Sequence, residues 1–114
     1  MNWKLATLLI TLLGSKAMAE QKKVVILDVR TQEEFQETHV IGAQNIDWYQ
    51  PDFKERIAKL DKNAEYKLYC RSGNRSGQAT TLMQSLGFKQ VENLGSVSDA
   101  SKKLKIACEG PKPC

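Results

Sequence analysis

The chain has 114 residues, which is a length suited to one domain. Hydrophobic residues make up 41% of it and charged residues 26%, which are proportions typical of a globular protein, and the formal net charge is +4. Lys4 and Lys16 lie in an N-terminal segment that we expect to be removed, which leaves a charge of 4 − 2 = +2. The remaining lysines are scattered and do not favour a nucleic-acid partner.

Residues 1–19 have the pattern of a secretory signal peptide. Lys4 supplies a positive start, residues 5–13 are an uncharged leucine-rich run, and Ala17 and Ala19 are the small residues that precede a cleavage site. The apolar run is shorter than the ~20 residues of a membrane-spanning helix. We expect export to a bacterial periplasm and no stable membrane association after cleavage. The alternatives are a retained helix that packs on the domain and an uncleaved membrane anchor.

The mature chain begins with a predicted strand and helix. Residues 24–27 are a continuous apolar run, as in a strand buried on both faces. Thr31 followed by Glu34 is a capping box, which predicts that a helix starts there. A return loop over residues 39–43 then leads into a short strand over residues 43–46.

The rest of the chain continues this alternation. Helices are predicted at 51–60, 78–86 and 98–104, and strands at 66–69 and 88–94. Strands that alternate with helices through short loops specify an α/β domain with a mainly parallel sheet. Such sheets bind ligands beyond the carboxyl ends of their strands.

A cysteine-containing loop lies at the end of the strand at 66–69. Its sequence is Cys70-Arg71-Ser72-Gly73-Asn74-Arg75-Ser76, and a helix follows. Backbone N–H groups at a helix start are unpaired and carry partial positive charge, which stabilises a thiolate. The two arginines act in the same direction, and a glycine permits unusual backbone angles. These neighbours favour a reactive thiol over a cysteine that only fills the core.

Two segments together resemble a known family. Residues 27–46, with Leu27-Asp28-Val29-Arg30 and His39-Val40-Ile41-Gly42-Ala43, are similar to the first signature of the single-domain rhodaneses, and residues 70–76 are similar to their active-site loop. With its leader, the chain most resembles the small periplasmic rhodaneses of the phage-shock type. The resemblance implies a rhodanese domain over residues 20–106, in three layers, with a central sheet of about five strands and helices on both faces. Residues 107–114 form a tail outside it.

The resemblance also implies a mechanism. The Cys70 thiolate would attack the outer sulfur of thiosulfate, sulfite would leave, and cyanide or a thiol would remove the sulfur from the resulting persulfide. No cofactor and no metal are implied. Arg75 is open to a second interpretation, as a tether to an acidic residue, and the serine hydroxyls to a role within the loop. The residues assigned to binding substrate and surrounding the persulfide are Arg71, Ser72, Gly73, Asn74, Arg75 and Ser76.

Three further residues are interpreted as structural support. Asp28 and Arg30 are expected to pair with each other or with Glu34 beside the loop. His39 is the only histidine, but an ionised thiol needs no general base, so we expect it to serve the architecture.

Cys108 and Cys114 flank a tail rich in proline and glycine. In an oxidising compartment they are expected to form a disulfide, which leaves Cys70 free. Unpaired thiols in a disordered tail, and a tail cysteine that resolves the persulfide, are the alternatives. No histidine or further cysteine nearby completes a metal site.

The same loop is compatible with other functions. A periplasmic persulfide carrier that delivers sulfur to a partner protein is the main alternative to the sulfurtransferase. A phosphatase or arsenate reductase is less favoured, because those loops space cysteine and arginine by five residues and this chain places four between Cys70 and Arg75. A non-enzymatic module of this kind usually lacks the cysteine. A monomer is expected, with a small-molecule donor and acceptor as its partners.

Overall fold

A computed structural model describes residues 22–114, and the predicted signal peptide lies outside the described residues. Four parallel strands form the central sheet in the order β3-β1-β4-β5, and two short antiparallel strands, β2 and β6, form a separate ribbon. The strands are β1 (Val24–Asp28), β2 (His39–Val40), β3 (Gln44–Asn45), β4 (Glu65–Cys70), β5 (Gln90–Ser96) and β6 (Cys108–Glu109). The helices are α1 (Gln32–Glu37), α2 (Phe53–Ala58), α3 (Asn74–Ser85) and α4 (Val97–Leu104).

Strand β4 occupies an inner position of the sheet, and both of its faces are covered. Leu68 and Cys70 pack into one hydrophobic cluster, whereas Tyr69 packs into the other. All three residues have no exposed surface. The side-chain period of two in a strand therefore directs Cys70 to the first cluster, on the side of α2 and α3.

The two clusters lie on opposite faces of the sheet. The first contains residues of α2 and α3, such as Ile57 and Met83, and the second contains Ala100 of α4 together with Val40 of β2. The sheet thus lies between two layers, and the predicted α/β fold with three layers is confirmed.

The central sheet has four strands in the described part of the chain rather than about five. His39–Val40, which was predicted to lie in a return loop, pairs with Cys108–Glu109 instead of joining the sheet. Two-residue strands have no hydrophobic period of their own, so the sequence could not reveal this ribbon. Helix α2 is also shorter than the predicted 51–60 and covers Phe53–Ala58.

The helix after the cysteine loop begins at Asn74, four residues before the predicted start at residue 78. Gly73 adopts the left-handed backbone conformation (φ 95°), which turns the chain from the loop directly into the helix. A Cβ atom on Gly73 would lie 3.2 Å from the Cα of Gly95, so the loop also packs closely on β5. Both facts bring the first turn of α3 close to the end of β4.

Strand β5 extends to Ser96, two residues beyond the predicted end, and has an irregular register against β4. Leu68 lies opposite Asn93, but Cys70 lies opposite Ser96, so β5 uses one residue more than β4 over this span. Such a bulge bends the strand and re-aims its side chains. Ser96 then caps α4 by accepting a hydrogen bond from the backbone N–H of Asp99.

The C-terminal tail packs on the domain. Cys108 and Cys114 are joined by a disulfide, and the backbone N–H of Lys112 donates to the carbonyl of Glu37 (3.0 Å). A Cβ atom on Gly110 would lie 2.5 Å from the same carbonyl oxygen, so the tail runs directly along the end of α1. Among residues 22–114, the helices are too short or too polar to cross a membrane.

Candidate active site

Cys70 ends β4 with its side chain facing the first turn of α3. The backbone N–H of Gly73 donates to its Sγ atom (3.0 Å), and the hydroxyl of Ser76 lies 3.3 Å from the same sulfur. Ser76 has no exposed surface and belongs to the first turn of α3, where the helix dipole is positive. Among the described cysteines, Cys70 is the one outside a disulfide.

These contacts favour the thiolate. Burial of Cys70 raises the pKa of its thiol, but hydrogen bonds from the Ser76 hydroxyl and from the backbone N–H groups of Ser76, Ser72 and Gly73 outweigh that effect. The pKa of Cys70 therefore lies below the ordinary value. A lowered pKa places more of the nucleophilic form at neutral pH.

The two arginines of the loop differ in their contacts. Arg75 donates two hydrogen bonds to the carboxylate of Glu34 (2.8 and 3.1 Å), and its guanidinium lies 5.4 Å from the ring centre of Tyr49. Arg71 is exposed and makes no ion pair with residues 22–114. Arg75 therefore links the loop to α1, whereas the charge of Arg71 remains available to a ligand.

Two other loop positions lie on the surface. Ser72 is exposed, and its hydroxyl has no hydrogen-bond partner among residues 22–114. Asn74 is exposed at the first position of α3, where its Oδ1 atom accepts from Gln78 (3.3 Å). Ser76, by contrast, faces the sulfur, so the two serines of the loop have different environments.

The sequence did not single out Asn93, a residue in the middle of β5 that holds the loop by hydrogen bonds. Its Nδ2 atom donates to the carbonyl of Gly73 (3.0 Å), and its Oδ1 atom accepts from the Ser76 hydroxyl (2.7 Å) and from the N–H of Gly95 (3.0 Å). Asn93 is 20 residues from Gly73 along the chain. Only the pairing of β4 with β5 brings these residues together, so no local pattern could have found it.

Asp28 and Arg30 form a buried ion pair beside the loop. Arg30 donates through Nε (3.0 Å) and Nη2 (2.7 Å) to the two carboxylate oxygens of Asp28, and it also donates to the carbonyl of Thr38. The guanidinium lies 5.6 Å from the ring centre of Tyr69. The sequence left open whether Asp28 and Arg30 pair with each other or with Glu34. In the structure they pair with each other, and Glu34 pairs with Arg75.

His39 lies on the ribbon of β2 and β6 and does not contact the loop. Its Nδ1 atom is 2.7 Å from the carbonyl oxygen of Phe35, and its Nε2 atom is 2.9 Å from the carboxylate of Glu109. The ring also stacks on that of Phe35, with the ring centres 3.8 Å apart. These contacts connect α1, β2 and β6.

The arrangement is suited to nucleophilic chemistry on sulfur. It combines a thiol of lowered pKa, N–H and O–H donors that point at its sulfur, and an exposed guanidinium one residue away. Such donors stabilise a negative charge that moves from Sγ to an atom bonded to it. Residues 22–114 hold no cluster of three or more potential metal ligands.

Comparisons with known proteins agree with this chemistry. The Rhodanese-like domain family matches residues 15–102 of the chain. The thiosulfate sulfurtransferase PspE of Escherichia coli K12 is 44% identical over 82 residues, which cover 69% of this chain and 77% of PspE. The putative sulfur carrier protein YrkF of Bacillus subtilis is 38% identical over 69 residues, which cover 60% of this chain and 36% of YrkF.

A solved structure, a rhodanese with anions from E. coli, has a TM-score of 0.60 and 42% sequence identity to this chain. The match covers 67% of this chain and 89% of that structure. The family match spans well over half of the 114 residues. The chain therefore belongs to the rhodanese family of sulfurtransferases.

Proposed function

We propose that the protein is a thiosulfate sulfurtransferase of the periplasm that carries the sulfane sulfur on Cys70. The observation that carries this proposal is the convergence of the Gly73 N–H and the Ser76 hydroxyl on the Cys70 sulfur. The similarity to PspE, a thiosulfate sulfurtransferase, supports it, and so does the similarity to an E. coli rhodanese whose structure was solved with anions.

In the first step, the Cys70 thiolate attacks the outer sulfur of thiosulfate. A bond forms between Sγ and that sulfur, the bond to the sulfonate sulfur breaks, and sulfite leaves with the electron pair. The persulfide then carries the negative charge on its outer sulfur. The backbone N–H groups of the loop can donate hydrogen bonds to this outer sulfur. The exposed guanidinium of Arg71 attracts the thiosulfate dianion.

In the second step, a nucleophile attacks the outer sulfur and Cys70 leaves as the thiolate. With cyanide, the product is thiocyanate. The side chain of Cys70 is fully buried, so a donor must reach it with a narrow end. Thiosulfate presents a single sulfur atom, whereas a phosphate ester presents a tetrahedral group, which supports sulfur transfer over a phosphatase activity.

A persulfide carrier is the second candidate. The similarity to the putative sulfur carrier YrkF favours it, and it shares the first step. A carrier would pass its sulfur to a partner protein and would turn over slowly with cyanide. Steady-state thiocyanate production therefore separates the two candidates.

The first experiment is the intact mass of the protein purified from the periplasm, before and after addition of thiosulfate. We expect a chain that starts at Glu20, with two fewer hydrogens because of the Cys108–Cys114 disulfide, and a gain of one sulfur atom. Cyanide should remove that sulfur as thiocyanate.

The Cys70→Ser variant is the control, and it should gain no sulfur. If the folded wild type with reduced Cys70 takes no sulfur from thiosulfate, the thiosulfate proposal is wrong. Aryl phosphates would then be tested on the same samples.

A further inference from the structure

A cavity of about 510 Å³ lies at the carboxyl edge of the sheet. Three of its lining residues follow the ends of three neighbouring strands: Arg30 after β1, Arg71 after β4 and Val97 after β5. Arg71 is bonded to Cys70, and Ser96, which precedes Val97, is the strand partner of Cys70. The volume is within the range of about 300–1,000 Å³ found for small-molecule sites.

The C-terminal tail forms one side of this cavity through Lys112 and Pro113. Both residues lie within the ring that the Cys108–Cys114 disulfide closes. The Nζ atom of Lys112 is 3.2 Å from the carboxylate of Glu37, and its backbone N–H donates to the Glu37 carbonyl. The ring therefore holds a lysine at the edge of this cavity.

The charges around the cavity favour an anion. Two of the three cations that line the cavity have a carboxylate partner: Arg30 pairs with Asp28, and Lys112 pairs with Glu37. The carboxylate of Glu34, which also lines the cavity, pairs with Arg75 of the loop. Arg71 has no carboxylate partner among residues 22–114 and is exposed. Because the pairs cancel, one positive charge remains at the cavity. The pair of Lys112 is also solvent-exposed, so a ligand can exchange with Glu37.

Because the tail forms one side of this cavity, we infer that the disulfide-closed tail completes a binding site for the sulfur acceptor. The acceptor is a small thiol that bears a carboxylate. This inference rests on the proposed persulfide mechanism. The thiol sulfur forms a bond to the outer sulfur of the Cys70 persulfide, and the bond between that sulfur and Sγ breaks. Cys70 leaves as a thiolate, the S–H bond of the acceptor thiol breaks, and its proton moves to the transferred sulfur, which becomes the terminal S–H of the new small-molecule persulfide. Arg71 and Lys112 bind the carboxylate of the acceptor.

The test uses protein whose Cys70 has been fully loaded by thiosulfate and freed of excess donor. The rate of sulfur discharge is measured by intact mass with 3-mercaptopropionate, which is anionic, and with 2-mercaptoethanol, which is neutral. In Lys112→Glu, we expect the rate with 3-mercaptopropionate to fall about twofold to fivefold at low ionic strength, the scale of an exposed charge contact. The rate with 2-mercaptoethanol should stay the same. Each thiol is compared with itself across variants, so differences in intrinsic reactivity cancel.

Lys89→Glu is the matched control, since Lys89 is exposed and precedes β5 at the opposite edge of the sheet. It makes the same change in net charge and should leave both rates at the wild-type values. The double variant Cys108→Ser/Cys114→Ser, which opens the ring but keeps Lys112, should lose part of the preference for the anionic thiol.

Equal rates in Lys112→Glu and the wild type, or an equal decrease in Lys112→Glu and Lys89→Glu, would overturn the inference while leaving the persulfide mechanism intact. A wild type that cannot be loaded contradicts the proposed function itself, and this inference with it.

Discussion

Ser76 has one hydroxyl hydrogen and two acceptors within reach, the Cys70 sulfur at 3.3 Å and the Asn93 Oδ1 atom at 2.7 Å. A thiolate attracts this hydrogen more strongly than a neutral amide oxygen does. Asn93 does not lose its partner in that case, because the N–H of Gly95 also donates to its Oδ1 atom. The hydroxyl can therefore turn towards the sulfur when the thiol ionises.

The first prediction concerns Ser76→Ala. Loss of a donor to the thiolate destabilises the charged form, so the pKa of Cys70 should rise. The measurement is the pH dependence of the alkylation rate with iodoacetamide, in which the disulfide-bonded Cys108 and Cys114 do not react.

Ser72→Ala is the control in the same loop. Ser72 is exposed and its hydroxyl contacts no sulfur, while its backbone N–H is kept in the variant. Its alkylation profile should match that of the wild type. An unchanged midpoint in Ser76→Ala would show that the hydroxyl does not stabilise the thiolate.

Among the elements, α1 and the cysteine loop are connected by one ion pair. Hydrogen bonds from Arg75 hold the pKa of Glu34 at about 2, below its usual value, although burial acts in the opposite direction. Because the folded-state pKa is below that of the unfolded chain, the ionised carboxylate favours the folded state. This contribution is fully present above about pH 4.5 and is lost as the pH falls towards about 2.

The second prediction follows for Glu34→Gln. Glutamine keeps an oxygen that can accept from Thr31 in the capping box, so the substitution mainly removes the charge paired with Arg75. At pH 7 we expect the free energy of unfolding to fall by about 1–2 kcal/mol, a value reduced for the partial exposure of the pair. The difference from the wild type should shrink between pH 4.5 and pH 3, as urea unfolding at each pH would show.

Glu33→Gln is the control on the same helix. Glu33 is exposed and forms no ion pair within residues 22–114, so its loss of charge should change the stability little at either pH. A constant difference between Glu34→Gln and the wild type at pH 7 and pH 3 would contradict the assigned role of the ion pair.

At the scale of the whole molecule, the helix starts and strands that the sequence predicted correctly are those that depend on a local sequence pattern. The capping box of Thr31 and Glu34 is present as predicted, and the strands predicted at 24–27 and 66–69 are inner strands of the parallel sheet. The start of α3 was misplaced because it depends on one left-handed residue, Gly73, whose conformation is set by its packing on β5. Asn93 was missed because only the register of β5 brings it to the loop.

The tail shows the same limit at the level of the whole chain. A disulfide between Cys108 and Cys114 could be proposed from their separation and the compartment, and the structure has this bond. The sequence did not indicate that the tail would pair with β2 and line a cavity together with Arg71. These contacts join residues about 70 positions apart, which no local pattern records.

The last prediction concerns the contribution of the tail to the stability of the molecule. Closing a ring of this size removes conformational freedom from the unfolded chain, and the chain-entropy relation gives about 2 kcal/mol for it. The double variant Cys108→Ser/Cys114→Ser should therefore unfold at lower urea concentration. Trp48 packs on the core next to Phe53, so its fluorescence can follow the transition. Reduction of the wild-type disulfide should lower the midpoint to the same extent. If both midpoints equal that of the oxidised wild type, the ring constrains the tail without stabilising the domain.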